Sequence, residues 1–247
     1  MTTTFIIPDV HVPFHDKAAW SLVLKTVRET QPSRIVIMGD FVDCLTVSHF
    51  PRGPGRINTL KDEVEAAHLA LTDLGDAAGK AKITFLMGNH EARLEKYLAE
   101  KAPELFGLID MESLLELKKR GWPLVPYRKH ITYGKIAYSH DVGFCGKSAV
   151  SQNLDSFGGN IVTGHTHRAG IVYDGTVLGE HRVAMSCGWL GDFGAIDYMH
   201  QSKTRSWQHG VGWCRQDRAG NGWISFAPII QNRLCIEGTW IGRNGHK

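Results

Sequence analysis

Short apolar runs alternate with amphipathic stretches through the first half of the chain. "TTFIIPD" (3–9), "RIVIMGD" (34–40) and "KITFLMGNH" (82–90) are apolar blocks of strand length that end in polar residues, a pattern that predicts short buried strands. Residues 17–30 and 59–78 predict helices. In the second of these, Leu60, Val64, Ala67, Leu71 and Leu74 fall at spacings of 4, 3, 4 and 3, which puts them on one helical face. Strand, helix, strand, helix, strand is the order of right-handed βαβ units around a parallel sheet. "KIAYSHD" (135–141) and "NIVTGHT" (160–166) predict two further strands, with a helix at 147–157 between them. Beyond residue 170 the β-like runs are broken by Gly, Asn and Asp. This β-rich tail (170–240) predicts hairpins or a second sheet rather than more βαβ units.

No linker, repeat or low-complexity tract divides residues 1–247, so the chain reads as a single domain. Two inserts stand out as candidate caps over a site: the Pro/Gly-punctuated loop 44–59 and the Lys/Arg-rich helical excursion 101–130. Composition narrows the picture modestly. A content of 43% hydrophobic and 21% charged residues is that of an ordinary globular protein. The net charge of +3 admits an anionic substrate without requiring nucleic acid. No apolar run approaches the roughly 20 residues that span a bilayer, so no membrane partner is expected. "MTTTFIIPDV" lacks the basic and long apolar regions of a signal peptide. The five cysteines are odd in number, dispersed and without a Cys-x-x-Cys pair, which speaks against a disulfide framework or a structural zinc site. The expected setting is cytoplasmic.

The polar residues that end the apolar runs carry the chemistry. The first run leads into Asp9 and His11, the second into Asp40 and Asp43, the third into Asn89, His90 and Glu91, the fourth into His140 and Asp141, and the fifth into His165 and His167. Residues two apart in extended chain point to one side, so His165 and His167 can address one region of space. In an open α/β sheet, ligands bind beyond the carboxyl ends of the strands. Five clusters delivered to one sheet edge would converge there. Imidazole with carboxylate and amide oxygen suits borderline divalent ions, and no thiolate is on offer. Asp9, His11, Asp40, Asn89, His140, His165 and His167 are too many for one tetrahedral ion and fit two ions sharing a carboxylate. Two such ions about 3.5–4 Å apart clamp the attacking and leaving oxygens of a displacement at phosphorus.

Asp-x-His, Gly-Asp-x-x-Asp, Gly-Asn-His-Glu, a lone His and Gly-His-x-His, in that order over residues 9–167, resemble the motif series of the calcineurin-like metallophosphoesterases. The resemblance implies a two-sheet αββα sandwich with a dinuclear metal site at the strand ends. By the same resemblance, Asp9, His11, Asp40 and His167 would hold one metal, and Asp40, Asn89, His140 and His165 the other. His90 would be the general acid at the leaving group, oriented by Asp43, and a metal-bridging hydroxide would be the nucleophile. An imidazole titrates close to neutrality and a carboxylate partner fixes its tautomer, so these roles are chemically sensible. Two divalent ions are implied as cofactors, Mn first, with Fe, Zn or Ni able to use the same donors.

The departures from the series bear on substrate. Where the Ser/Thr protein phosphatase branch has Asp-x-His-Gly and a second block running into Arg-Gly, this chain has Val12 and Cys44-Leu45. Cys44 cannot make the bidentate phosphate contact of an arginine. The expectation is therefore a phosphodiesterase acting on DNA, RNA or a nucleotide. A phosphomonoesterase (small-molecule or protein phosphatase) is the alternative, and a non-catalytic binding module on the same fold is the alternative of another class. Other residues have plainer readings. Glu91 reads as a first-turn helix acid, Arg93 as an exposed helix arginine first and as an arm within reach of a phosphate second, and His15, His49, His68 and His130 as surface or packing residues. "LKKRGWPLVPYRKH" reads as a solvated face, with a wall of the substrate groove as the alternative. The 188–210 segment, with Trp189, Phe193, Tyr198 and Trp207 among Lys203 and Arg205, fits either base stacking or a loop stapled down by its own aromatics. No substrate-binding residue is assigned.

Overall fold

The computed structural model describes residues 1–49, 58–175, 177, 179–195 and 204–242. Its first half follows the predicted order: β1 (Thr2–Ile7), α1 (Lys17–Thr30), β2 (Arg34–Ile37), α2 (Leu60–Ala78), β3 (Lys82–Leu86) and α3 (Ala92–Lys101). The 101–130 excursion is built from α4 (Met111–Leu114), α5 (Leu117–Arg120) and the short strand β4 (Leu124–Val125). Then come β5 (His130–Tyr133), β6 (Ile136–Ser139), α6 (Ala149–Phe157), β7 (Ile161–Thr163), β8 (Ala169–Gly175) and β9 (His181–Cys187). The chain closes with β10 (Gly210–Gln216), β11 (Gly222–Pro228), β12 (Arg233–Ile236) and β13 (Thr239–Gly242).

Local chemistry sets the helix boundaries. Asp16 caps α1 by accepting from Ala18 N and Ala19 N at 2.8 and 2.9 Å, and α1 ends at Gln31 in the left-handed region. Thr59 and Asp62 form a reciprocal capping box that fixes the start of α2. Ala67, Leu71 and Leu74 of its predicted apolar face are buried.

Two sheets stack between helices. The first has the order β11–β10–β1–β2–β3–β4, the second β5–β6–β7–β9–β8, and β12–β13 form a separate hairpin. Alternation along the strands explains the layers. Phe5, Ile7, Ile35 and Ile37 face α1 and α2, while Ile6, Val36 and Met38 face the second sheet. Ile136, Tyr138, Val162, Val183 and Met185 answer from that sheet, whose other face packs Ala137, Ile161 and Ala184 against Val150 and Leu154 of α6. The result is an αββα sandwich.

Two sequence expectations need correction. The five polar clusters do not sit on one sheet edge: β1, β2 and β3 deliver three of them from the first sheet, and the parallel pair β6–β7 delivers two from the second. The tail does form the expected antiparallel hairpins, β8–β9, β10–β11 and β12–β13, but they do not all lie in the second sheet. Strands β8 and β9 join the second sheet, whereas β10 and β11 return to extend the first, with β10 antiparallel to β1. Among the described residues no helix is long and apolar enough to cross a membrane.

Candidate metal centre

The strand ends are stitched together through backbone. Val10 N and His11 N both donate to Asp40 O, at 3.0 and 2.9 Å, and Gly164 N donates to His140 O at 3.0 Å. The third block is tied to the second by Glu91. Its buried carboxylate accepts from Asp40 N, Val42 N and Gly88 N at 2.9, 2.9 and 2.8 Å. Glu91 does stand at the start of α3, where the sequence put a helix acid, but its carboxylate is buried as a bracket between the loops.

This stitching imposes unusual backbone. His11, Asp40, His165 and His167 all have positive φ, from 47° to 65°, a conformation that costs a non-glycine residue energy and clusters at functional sites. Gly88 and Gly164 make the close approaches. A Cβ on Gly88 would lie 2.1 Å from Asp40 Oδ1, and one on Gly164 would lie 2.4 Å from Asp9 Oδ1.

The seven residues expected as ligands come together. Asp9, His11, Asp40 and His167 each offer one donor atom, all within 4.8 Å of one another, and Asp40, His140 and His165 do the same on its other side. Asn89 completes the second group, with Oδ1 3.0 Å from His140 Nε2 and 2.8 Å from His165 Nδ1. Outer partners fix the rings. His140 Nδ1 lies 2.8 Å from Met38 O, which leaves Nε2 to face Asp40 Oδ2 at 3.4 Å. His11 Nδ1 lies 3.1 Å from Asp43 Oδ2, which leaves Nε2 facing His167 Nε2 at 3.1 Å.

This donor set fits a divalent cation. Asp9 is fully buried, and neither carboxylate oxygen has a hydrogen-bond partner, although His167 Nε2 stands 3.1 Å from Oδ2 as an ion-pair neighbour. Two imidazole nitrogens 3.1 Å apart share at most one proton between them. Buried polar groups left this way are costly unless something else satisfies them.

Electrostatics agree. Burial opposes charge on Asp40, but His140, His90 and His11 hold its carboxyl well below the ordinary carboxylate range. Burial likewise opposes charge on Asp43, which His90 and His11 pull far down. Burial would depress His140, and Asp40 overrides it, raising the imidazole to about 10. At His167 burial wins over Asp9, and the ring falls to about 4. Asp9 and Asp40 raise both imidazoles, and burial lowers both; the carboxylates prevail at His140 and burial at His167.

His90 sits beside the ligands. Its Nδ1 is 2.9 Å from the backbone oxygen of Asp43 and 3.7 Å from the Asp43 carboxylate, which lies closer to His11. Arg93, expected on an exposed helix face, instead points into the site. It donates to Asp43 O at 2.9 Å and reaches His90 Nε2 at 2.8 Å, with only 15% of its side chain exposed.

A cavity of about 480 Å³ opens over these residues, and Arg93, Lys147, Arg168 and Arg205 reach its wall. Leu45 and Ser48 contribute from the 44–59 insert, whose residues 50–57 lie outside the described residues. Among the described residues, the 101–130 excursion does not line the cavity. The aromatics of 188–210 pack on the site and on each other. Trp189 is buried and stacks on His167 at 5.1 Å and 14°, Trp207 meets His167 edge-on at 4.2 Å, and Phe193 meets Trp189 at 4.9 Å. That packing is the stapled-loop arrangement; Tyr198 and Lys203 lie outside the described residues. His15 packs on Trp20 and His68 on Leu114 O, as packing residues do.

The family model described as calcineurin-like phosphoesterase matches residues 2–169. "Gene 54 protein" of Mycobacterium phage D29 is 26% identical over 249 residues, covering 94% of this chain and 96% of the relative. The protein of the same name from Mycobacterium phage L5 is 24% identical, with the same coverage. Among solved structures, a Vps29 variant from Entamoeba histolytica superposes with a TM-score of 0.48 at 11% identity, covering 98% of this chain and 100% of that one. YfcE, a phosphoesterase from E. coli, gives 0.43 at 16% identity, covering 87% and 90%.

Proposed function

The chain belongs to the calcineurin-like phosphoesterases, and from that premise we infer that it is a metal-dependent phosphoester hydrolase whose preferred substrates are phosphodiesters of nucleic acids or nucleotides. The observation that carries the reading is the convergence of two donor sets on Asp40. Asp9, His11, Asp40 and His167 would hold one ion, and Asp40, Asn89, His140 and His165 the other. This mixture of imidazole, carboxylate and amide oxygen suits Mn first, with Fe, Zn or Ni as substitutes. When bound, the pair of ions supplies Lewis acidity at the phosphoryl oxygens and acidifies water.

The chain's own residues do the rest. Water adds to phosphorus and gives up a proton to solvent, and the bond from phosphorus to the leaving oxygen breaks. His90 delivers its Nε2 proton to that oxygen, so a diester yields a monoester and an alcohol. The Asp43 backbone oxygen holds Nδ1 and aims Nε2 at the cavity. The Asp43 carboxylate positions His11. Trp189, stacked on His167, keeps solvent from that side of the centre.

The diester preference is supported by space and charge. Beyond Lys147 and Arg168 the cavity continues into a second compartment of about 270 Å³, lined by Val150, Ile171 and Val172. A monoester has no second arm to fill it. A diester does, and an apolar wall beside two cations suits a base next to a phosphate.

The test is Mn-dependent hydrolysis of a chromogenic phosphodiester beside the matching monoester, with His90→Ala as control. Faster diester cleavage that falls about 10²–10⁴-fold in the variant, with metal content unchanged, is the expected result. Preference for the monoester would overturn the substrate class. Absence of turnover of either ester by the metal-loaded protein would favour a binding module.

A further inference from the structure

The anion contact missing from the second block is made up from the third. Cys44, where the protein phosphatase branch carries arginine, is fully buried, and burial raises its thiol well above the usual range, so it brings no charge to the cavity. Arg93, from the first turn of α3, occupies the cavity wall next to it. Its guanidinium donates to Asp43 O at 2.9 Å and to His90 Nε2 at 2.8 Å, and it stands 3.6 Å from Asp43 Oδ1.

A guanidinium can only donate, so His90 Nε2 is the acceptor in this contact. The ring proton then sits on Nδ1, facing Asp43 O at 2.9 Å. The nitrogen that would face a leaving oxygen is therefore covered. We propose that Arg93 is the phosphoryl-oxygen contact of this enzyme and that it covers His90 until a substrate anion draws it away. The proposal rests on the phosphoester-hydrolase reading above for its biological meaning, but not for its test.

The driving force is a better partner. In the free protein, two arms of the fork meet neutral acceptors, an imidazole nitrogen and a carbonyl oxygen, while the Asp43 carboxylate stands 3.6 Å away as an ion pair without a hydrogen bond. A phosphoryl group offers two anionic oxygens at the spacing of the fork, and such charge-assisted bidentate bonds are about twice as strong as neutral ones. Moving one arm from His90 to the phosphoryl group uncovers Nε2, which then takes from solvent the proton it delivers to the leaving oxygen. The other cation with described contacts at this cavity is placed elsewhere. Arg168 Nε donates to Ser206 Oγ at 2.8 Å, at the opposite wall beside His167. Arg93 is the described cation in contact with His90.

The experiment titrates inorganic phosphate into the Mn-loaded full chain by calorimetry, for the parent and for Arg93→Ala, Arg93→Gln and Arg93→Lys. Phosphate affinity should fall at least 10-fold in Arg93→Ala and Arg93→Gln with Mn stoichiometry unchanged. Arg93→Lys should recover part of the loss, since it keeps the charge and loses the fork. Arg93→Gln keeps a hydrogen bond to Asp43 O, so it serves if Arg93→Ala does not fold. Nitrogen NMR supplies the second readout: phosphate should shift the His90 Nε2 resonance of the parent, and Arg93→Ala should show it shifted before phosphate is added. Phosphate affinity within twofold of the parent in both neutral variants would overturn the contact. An unmoved Nε2 resonance in Arg93→Ala would overturn the cover. A protein that turns over neither ester yet binds phosphate through Arg93 would reject the hydrolase reading and keep this one.

Discussion

Two clefts open at opposite ends of the second sheet, and the larger of them lacks the chemistry. The cleft at the carboxyl ends of β6 and β7 has a volume of about 480 Å³, and the one at their amino ends about 870 Å³. At the larger cleft polar side chains pair with one another, apart from the buried Arg182 Nε, which has no hydrogen-bond partner. Lys135 Nζ donates to Asn221 Oδ1 at 2.8 Å, Asn160 bridges Lys135 O and Val183 N at 3.0 Å each, and Arg182 pairs with Asp174. Its described lining includes no non-glycine residue with positive φ, whereas His165 and His167 at the smaller cleft both have it. At the smaller cleft Asp9 is buried without a donor and imidazole nitrogens face each other. Volume marks where sheets diverge; strained backbone and unsatisfied buried charge mark where something binds.

The strongest way to break this comparison is Asp9→Asn. If the unsatisfied carboxylate is a ligand, the variant should lose one metal equivalent by elemental analysis and about 10³-fold in turnover, the scale of several kcal/mol of transition-state stabilisation. Addition of Mn at about 100 times its Kd should raise the Tm of the parent by roughly 5–10 °C, and that rise should shrink in the variant. An Asp9→Asn protein with full metal content and turnover would mean that the buried charge is a packing accident.

Glu91→Gln is a smaller intervention that sharpens the same contrast. The carboxylate accepts from three backbone N–H groups, and an amide in its place turns one lone-pair face into a donor facing donors. The expected outcome is a loss of about 10–100-fold in metal affinity, the scale of outer-shell changes, with about 2 kcal/mol of stability lost in urea denaturation. Unchanged metal affinity alongside lost stability would make Glu91 a fold bracket and nothing more.

What the sequence made legible follows from which signals are local. Helices 17–30 and 59–78 lie where the sequence predicts them, and the structure shows a second local cause in Asp16 and the Thr59–Asp62 box, which act within one turn. The seven ligand-type residues were legible because each follows an apolar strand run directly. The misreadings all concern distant partners. Arg93 looks like any solvated helix arginine until Asp43 O, 50 residues earlier, is brought to 2.9 Å. Glu91 looks like a helix acid until the backbone of residues 40 and 42 folds onto it. Nothing in "VGWCR" or "GWISFAP" states that these strands return to β1 rather than follow β9, because a half-buried strand pattern names a face and not a neighbour.

The smallest expected effect belongs to the larger cleft. Trp223 lines it and is 62% exposed, and Tyr173 beside it is 69% exposed. Truncating an exposed side chain that anchors no buried network changes stability by about 0.5 kcal/mol or less. Trp223→Ala should therefore leave Mn content, ester turnover and the midpoint of urea unfolding close to those of the parent. The result matters because Trp223 sits on β11, which pairs with β10, which in turn pairs with β1, the strand that ends at Asp9. If the metal centre depended on the far end of the sandwich through that ladder, the variant would lose turnover without losing stability. A fall of more than about fivefold in turnover with an unchanged unfolding midpoint would join the two clefts into one functional unit; parity would leave the chemistry with the strained loops at the other end.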